Sequence, residues 1–351
     1  MTTIKAVLVH LGSGMGNMLM ATPMMEMLSI GGYKVDLCLQ GETPNVESLF
    51  KRWSHIRSVS SQPESFVDQH YEIYIYGFEV AGDPILFSNF DDAIILHPMW
   101  DWHKSYGLHS EIELYSNLAR CIVPDVASVT QIRCVGSNRI FDDITEKTAI
   151  LVPGGGMQMI IRKWGGYGLL AEKLKDVAVV GLPADLDLSN RLIFPEWCKT
   201  VFGNTLNYQG RGWKVARNFS NRLDAEIKFP SHVKNYIGKL SLEDTAALIS
   251  QAGYVIGNDC GVTHMAVALN KPVFPILGPT SQRKVFPAFL KNISIISKQF
   301  DCQPCQEKPT VGVWKEDRSQ CFCPYGIRCM EEITPDDVIK VVETTLNETI
   351  T

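Results

Sequence analysis

The stretch Gly257-Asn258-Asp259-Cys260-Gly261-Val262-Thr263-His264 follows the apolar run Ala252 to Ile256 and leads directly into the helical pattern Met265 to Leu269. A strand that passes through Asn, Asp and Gly into a helix gathers unpaired backbone N–H groups and the positive end of a helix dipole at one point. That arrangement suits an anion such as a diphosphate. Asp259 beside it is placed to accept hydrogen bonds from sugar hydroxyls; the plain alternative is a carboxylate that caps the helix.

Working outward, Leu242 to Ala252 reads as a helix, Tyr254 to Gly257 as a strand, Thr263 to Leu269 as a helix and Pro272 to Leu277 as a strand. Upstream, Ala149 to Val152 is a buried-strand run that enters Pro153-Gly154-Gly155-Gly156, with a helix at Tyr167 to Leu174 and a strand at Val177 to Gly181. The chain opens in the same way. Ile4 to His10 is a β-branched strand, Gly12 to Gly16 a glycine turn, Met18 to Leu28 a helix with Pro23 near its first turn, and Val35 to Leu39 the next strand. Ile73 to Tyr76 and Ala93 to Leu96 are further strands, and Glu111 to Arg120 is an amphipathic helix. This alternation predicts an α/β protein of two Rossmann-like, doubly wound domains. Their expected spans are 1–145 and 146–333. The capped helix 334–347, beginning Thr334-Pro335, is expected to pack back on the first domain. Residues 192–234 lack periodicity and are expected to form an insertion outside the sheet.

A chain of 351 residues, 45% hydrophobic and 20% charged, has enough apolar content for two cores. Its net charge of −5 gives no general attraction to nucleic acid or to anionic membranes. No apolar run reaches membrane-spanning length and no secretory leader is evident, so a cytoplasmic enzyme is the expectation.

Gly12-Ser13-Gly14-Met15-Gly16-Asn17 invites a dinucleotide reading, but the fingerprint needs Gly at position 17, and Asp36 lies inside the second strand instead of clearly at its end. A nicotinamide dehydrogenase is therefore disfavoured. Arg162 and Lys163, followed by Trp164, put two cations just beyond the second glycine turn, where they could reach a diphosphate or form a solvated basic loop. In Gly238-Lys239-Leu240-Ser241-Leu242-Glu243, Ser241 is a helix cap, and Glu243 either binds a ribose diol or favours the helix N-terminus electrostatically.

In this order the segments resemble glycosyltransferase family 9, the heptosyltransferases. The matching pieces are Gly14-Met15-Gly16-Asn17 with Ala21-Thr22-Pro23, Val152-Pro153-Gly154-Gly155 with Arg162-Lys163-Trp164, Gly238 to Glu243, and Asn258 to Ala266 with Lys271-Pro272 and Leu277-Gly278-Pro279-Thr280. The resemblance implies two domains facing a cleft in the GT-B manner, a nucleoside-diphosphate sugar held mainly by the C-terminal domain, and a glycan or protein acceptor on the N-terminal one. It implies an inverting transfer without a catalytic metal. Arg162 would stabilise the departing diphosphate, Glu243 the ribose and Asp259 the sugar. Gly261, Val262 and Thr263 would supply phosphate-binding backbone, and His264 belongs to the same pattern or is a structural histidine. Gly16, Lys163 and Lys239 complete the expected donor side.

One departure concerns the base. Family members usually carry Asp where this chain has Asn17, and an amide cannot take a proton near neutral pH. The replacement candidates are Asp101, His103, His109 and Glu111, with Asp101 foremost. The rival reading is a sugar-nucleotide-binding protein impaired in catalysis.

Five of the ten cysteines, Cys302, Cys305, Cys321, Cys323 and Cys329, fall in one segment, and they too echo a pattern of some family members. The pair Cys302/Cys305 with Cys323 and Cys329, Cys321 being the alternate, would make a tetrahedral thiolate site for structural zinc or iron. The alternative is a set of reduced thiols packed in a loop.

Overall fold

The structure is a computed structural model, and it describes residues 5–41, 43–77, 93–96, 109–155, 162–188, 226–304 and 328–350. In the first half, β1 (Ala6–Ser13) runs into α1 (Met15–Met20) and α2 (Thr22–Ile30), followed by β2 (Lys34–Gly41), β3 (Ser58–Ser60), β4 (Ile73–Tyr76), β5 (Ile94–Leu96) and α3 (Glu111–Ile122). The single helix expected after the first glycine turn is two, because Pro23 occupies the first turn of α2 and cannot donate into a preceding helix.

The second half contains β6 (Ala149–Val152), α4 (Tyr167–Lys173), β7 (Val177–Val179), α5 (Pro183–Leu186), β8 (Lys234–Asn235) and α6 (Leu242–Gln251). It continues through β9 (Tyr254–Asn258), α7 (Gly261–Ala268), β10 (Val273–Ile276), α8 (Gln282–Val285), α9 (Arg328–Glu331) and α10 (Pro335–Ile350).

Each half holds a five-stranded sheet, ordered β3-β2-β1-β4-β5 and β10-β9-β6-β7-β8. The strand pairs are parallel. Counted from its own first strand, each sheet has the same 3-2-1-4-5 order, so each reverses direction at one place: between β1 and β4, and between β6 and β9. Ligands of open α/β sheets bind outside the carboxyl ends of the strands at that reversal. The strands there are almost wholly buried, as expected for sheets covered on both faces.

One buried cluster runs through both halves, joining Met15, Met18 and Leu19 of the first to Met265 and Val267 of the second. The connecting segment is stitched to both. Arg133 N–H donates to Thr22 Oγ1 at 2.8 Å, and Gln131 Nε2 donates to the Val267 carbonyl at 2.8 Å.

Two expectations need correction. The helix α10 does not return to the first sheet: Val338 and Val342 are buried with Trp164 and Leu170 in the second core, and Trp164 Nε1 donates to the Ile333 carbonyl at 2.9 Å. The end of the expected insertion belongs to the second sheet, since Ile227 and Val233 are buried there and Lys234 pairs with Ala178. A two-residue strand has no alternation to read, so β8 left no periodic signal. Residues 192–225 lie outside the described residues.

Candidate functional site at the β6/β9 reversal

The carboxyl ends of β6 and β9 are locked by one side chain. Asn258 accepts from Trp164 N–H at 3.1 Å and donates to the Pro153 carbonyl at 2.9 Å, so the loop carrying Arg162 is fixed to the end of β9. Gly257 is required because a Cβ there would collide with Thr263 Oγ1, and that hydroxyl donates to the Asn258 carbonyl at 2.6 Å. The turn from β9 into α7 is therefore held by side chains. Its helix begins at Cys260, which caps it without a side-chain hydrogen bond.

Asp259 stands at this turn, 4% exposed. Arg162 Nη1 lies 2.8 Å from one carboxylate oxygen and His264 Nε2 3.3 Å from the other. Burial alone would raise the pKa of Asp259, but Arg162, His264 and the Thr280 hydroxyl outweigh it and hold the carboxyl far below the ordinary range. His264 stacks on Phe286, with centroids 4.6 Å apart, and its buried Nδ1 has no hydrogen-bond partner. It also meets Gly16 of the first half, where a Cβ would approach Cδ2 to 2.8 Å. Gly261 likewise packs against Met15.

The structure thus brings together Gly16, Arg162, Asp259, Gly261, Thr263 and His264, with Val262 in the first turn of α7 beside them. Other expected residues stand differently. Lys163 is 5% exposed and its ammonium donates to the Ala184 carbonyl at 3.1 Å, which ties the loop to α5. Lys239 donates to the Asn235 carbonyl at 2.7 Å. Glu243 sits in the first turn of α6, its carboxylate 3.7 Å from Arg52 of the first half, while Ser241 caps the helix as expected by accepting from Asp244 N–H. Asn17 lies half-buried in α1, and His109 is exposed. Asp101 and His103 lie outside the described residues.

Sequence reasoning gave no role to Lys284, Phe286 or Thr280. Lys284 Nζ is 3.1 Å from Glu111 Oε1, a buried ion pair between α8 and α3. A lysine in a four-residue helix carries no local signal of a partner so distant in the chain. Asp36 is settled as structural: it is fully buried, and Arg57, Ser58 and Tyr71 donate to it.

Residues 214–312 match glycosyltransferase family 9, described as heptosyltransferase. The chain resembles glycosyltransferase family 9. Over 100 residues it is 38% identical to lipooligosaccharide heptosyltransferase 2 of Haemophilus influenzae, a match that spans 28% of this chain and 27% of that protein. Among solved structures, E. coli ADP-heptose lipopolysaccharide heptosyltransferase II superimposes with a TM-score of 0.63 at 15% identity, covering 99% of this chain and all of that one. The family 9 glycosyltransferase of Veillonella parvula gives 0.61 at 12% identity, covering 98% and 97%. The dodecameric iron-containing glycosyltransferase TibC of enterotoxigenic E. coli gives 0.59 at 14% identity, covering 99% of this chain and 78% of that one. At these identities the neighbours establish the fold, the GT-B arrangement of two Rossmann-like layers.

Among the described residues no group of three or more His, Cys, Asp or Glu side chains is arranged to hold a metal. Cys305, Cys321 and Cys323 lie outside them. Of the two described, Cys302 is half-buried and Cys329 is buried. Both limbs of the segment reach one glycine: a Cβ at Gly278 would come within 2.9 Å of Cys329 Sγ, and Gln303, next to Cys302, donates to the Gly278 carbonyl at 3.0 Å. No helix among the described residues is long and apolar enough to cross a membrane.

Proposed function

We propose that this chain is an inverting glycosyltransferase that moves a sugar, a heptose being the first candidate, from a nucleoside diphosphate to a hydroxyl of a glycan or protein acceptor. The observation that carries the reading is the buried Arg162–Asp259–His264 cluster at the start of α7, set at the sheet reversal and facing Gly16. Its parts divide the task. Arg162 and the first N–H groups of α7 oppose the charge that develops on a leaving diphosphate, without reorganisation during the reaction. Asp259 remains ionised at any physiological pH and is an acceptor for sugar hydroxyls. Glu243 serves the ribose, and Gly261, Val262 and Thr263 the phosphates.

Within this proposal, residues 1–145 form the acceptor domain and 146–333 the donor domain, and the location is the cytoplasm. Cys302, Cys305, Cys323 and Cys329, with Cys321 as alternate, would hold a structural zinc or iron that cross-links the C-terminal segment and takes no part in transfer.

The test is thermal melting against a panel of nucleoside diphosphates and their sugars. A ligand at a hundred times its Kd adds about 2.7 kcal/mol and raises the midpoint by a few degrees. A selective rise with one diphosphate sugar supports the donor site; a flat panel removes it. Asn17 favours a second reading, a binding protein with impaired catalysis. A large gain in turnover on Asn17→Asp would mark a decayed enzyme.

A further inference from the structure

Glu111 opens α3 in the first half and is 1% exposed. Capping does not explain it, because the reciprocal bonds with Ser110 are made by Glu113. One carboxylate oxygen of Glu111 lies 3.1 Å from Lys284 Nζ. The other, Oε2, is buried without a hydrogen-bond partner. A buried carboxylate with an orphan oxygen is destabilising, and such groups are retained where chemistry uses them.

Its surroundings connect it to the donor cluster. Lys284 lies within electrostatic range of both Arg162 and Asp259. Two residues further on, Phe286 stacks on His264, which in turn reaches Asp259. Glu111 therefore brings a carboxylate from the acceptor half into the constellation around Arg162, close to the helix whose Asn17 cannot serve as a base.

Resting on the transferase reading above, we infer that Glu111 is the proton acceptor of the transfer. The acceptor hydroxyl oxygen bonds to the anomeric carbon while the bond from that carbon to the diphosphate oxygen breaks, its electron pair staying on the diphosphate. The hydroxyl proton passes to Glu111 Oε2. Once protonated, Glu111 no longer balances Lys284, whose charge then adds to that of Arg162 as the diphosphate leaves. Gly16 packs on His264 at the seam between the halves, on the same side of the molecule as the first half's contribution of Glu111 to Lys284.

The experiment is a double-mutant cycle on the full chain, with ADP-heptose as donor, water standing in for the acceptor, and ADP release as the readout. Glu111→Gln is expected to lower turnover by about 10²-fold or more while ADP still raises the melting midpoint. That variant breaks the ion pair with Lys284 and could fail to fold, so the deciding comparison is Lys284→Met against Glu111→Gln/Lys284→Met, in which the pair is removed together. A further loss of about 10²-fold in the double variant supports proton transfer to Glu111. Equal rates for those two variants overturn it, because Glu111 then serves only to neutralise Lys284. A wild-type protein whose melting midpoint ADP-heptose does not move and which releases no ADP removes the donor site, and the role of Glu111 with it.

Discussion

Gly16 of α1 lies against the imidazole of His264 in α7, so that a methyl group at residue 16 would come to 2.8 Å from Cδ2. His264 cannot yield readily, since its ring is stacked on Phe286 and its ring nitrogen reaches Asp259. Gly16→Ala should therefore force the two halves apart or displace the ring. An overpacking cost of about 1–3 kcal/mol is expected, read as a lowered melting midpoint. Gly14→Ala is the control, because nothing lies within 4 Å of a Cβ built there. Equal midpoints for the two variants would mean that the seam is looser than this packing implies.

The contact also shows what sequence could and could not supply. Both glycine turns, the β9-to-α7 turn and the paired Rossmann-like layers are written in local patterns, because a strand–turn–helix unit is decided within about a dozen residues. Arg162 and Asp259 were both singled out, yet their ion pair joins residues 97 positions apart in sequence and depends on Asn258 pinning the Arg162 loop. Lys284 was missed altogether. Its meaning comes from Glu111 on the other half, and no periodicity encodes a contact between two sheets. Helix α10 was misplaced for a similar reason: its apolar face was legible, but its destination was fixed by Trp164, which donates to the chain just before it.

Asp259→Asn should destabilise the fold by about 3 kcal/mol, because it leaves the Arg162 guanidinium buried beside a neutral amide. Acid should have a related effect on the wild type. The folded-state pKa values of Asp259 and Asp36 both lie below the ordinary carboxylate value. Burial opposes the charge in each case, but Arg162 and His264 in one, and Arg57, Tyr71 and Ser58 in the other, more than compensate. A depressed carboxylate contributes stability that is fully present above its unfolded pKa of about 3.9 and is lost as pH falls through the lower folded value. The melting midpoint should stay nearly level from pH 7 to about 5 and drop below about 4. The drop should be shallower in Asp36→Asn. An unchanged acid slope in that variant would remove Asp36 from the account.

Thiol reactivity should separate by burial. Burial pushes Cys134 up to about 12, and burial followed by the charge of Glu64 pushes Cys38 up to about 12. Cys121 is exposed on α3. Its thiol is open to reagent, whereas the raised values of Cys38 and Cys134 keep their thiols protonated near neutral pH. Brief alkylation of the native protein, followed by peptide mass mapping, should label Cys121 and spare Cys38 and Cys134. Equal labelling of all three would mean that the first sheet opens on the time scale of the reaction.

Arg162 offers the most direct separation of charge from geometry at the proposed donor site. Its guanidinium holds Asp259 through Nη1 at 2.8 Å and is mostly buried, so its position is set before any ligand arrives. Arg162→Lys keeps a charge but replaces a planar fork by a point cation on a flexible stem. Arg162→Met removes the charge and leaves Asp259 with His264 alone. If the cation acts on the departing diphosphate, Arg162→Met should lower the rate of nucleoside diphosphate release, from whichever diphosphate sugar the melting panel selects, by about 10²–10³-fold, and Arg162→Lys should recover part of that loss. Asp259 needs the charge for its own ionisation, so thermal midpoints must be followed in parallel. A loss of stability without a loss of rate in the folded fraction would assign Arg162 to holding Asp259, whereas a loss of rate in both variants at preserved midpoint would assign it to the leaving group.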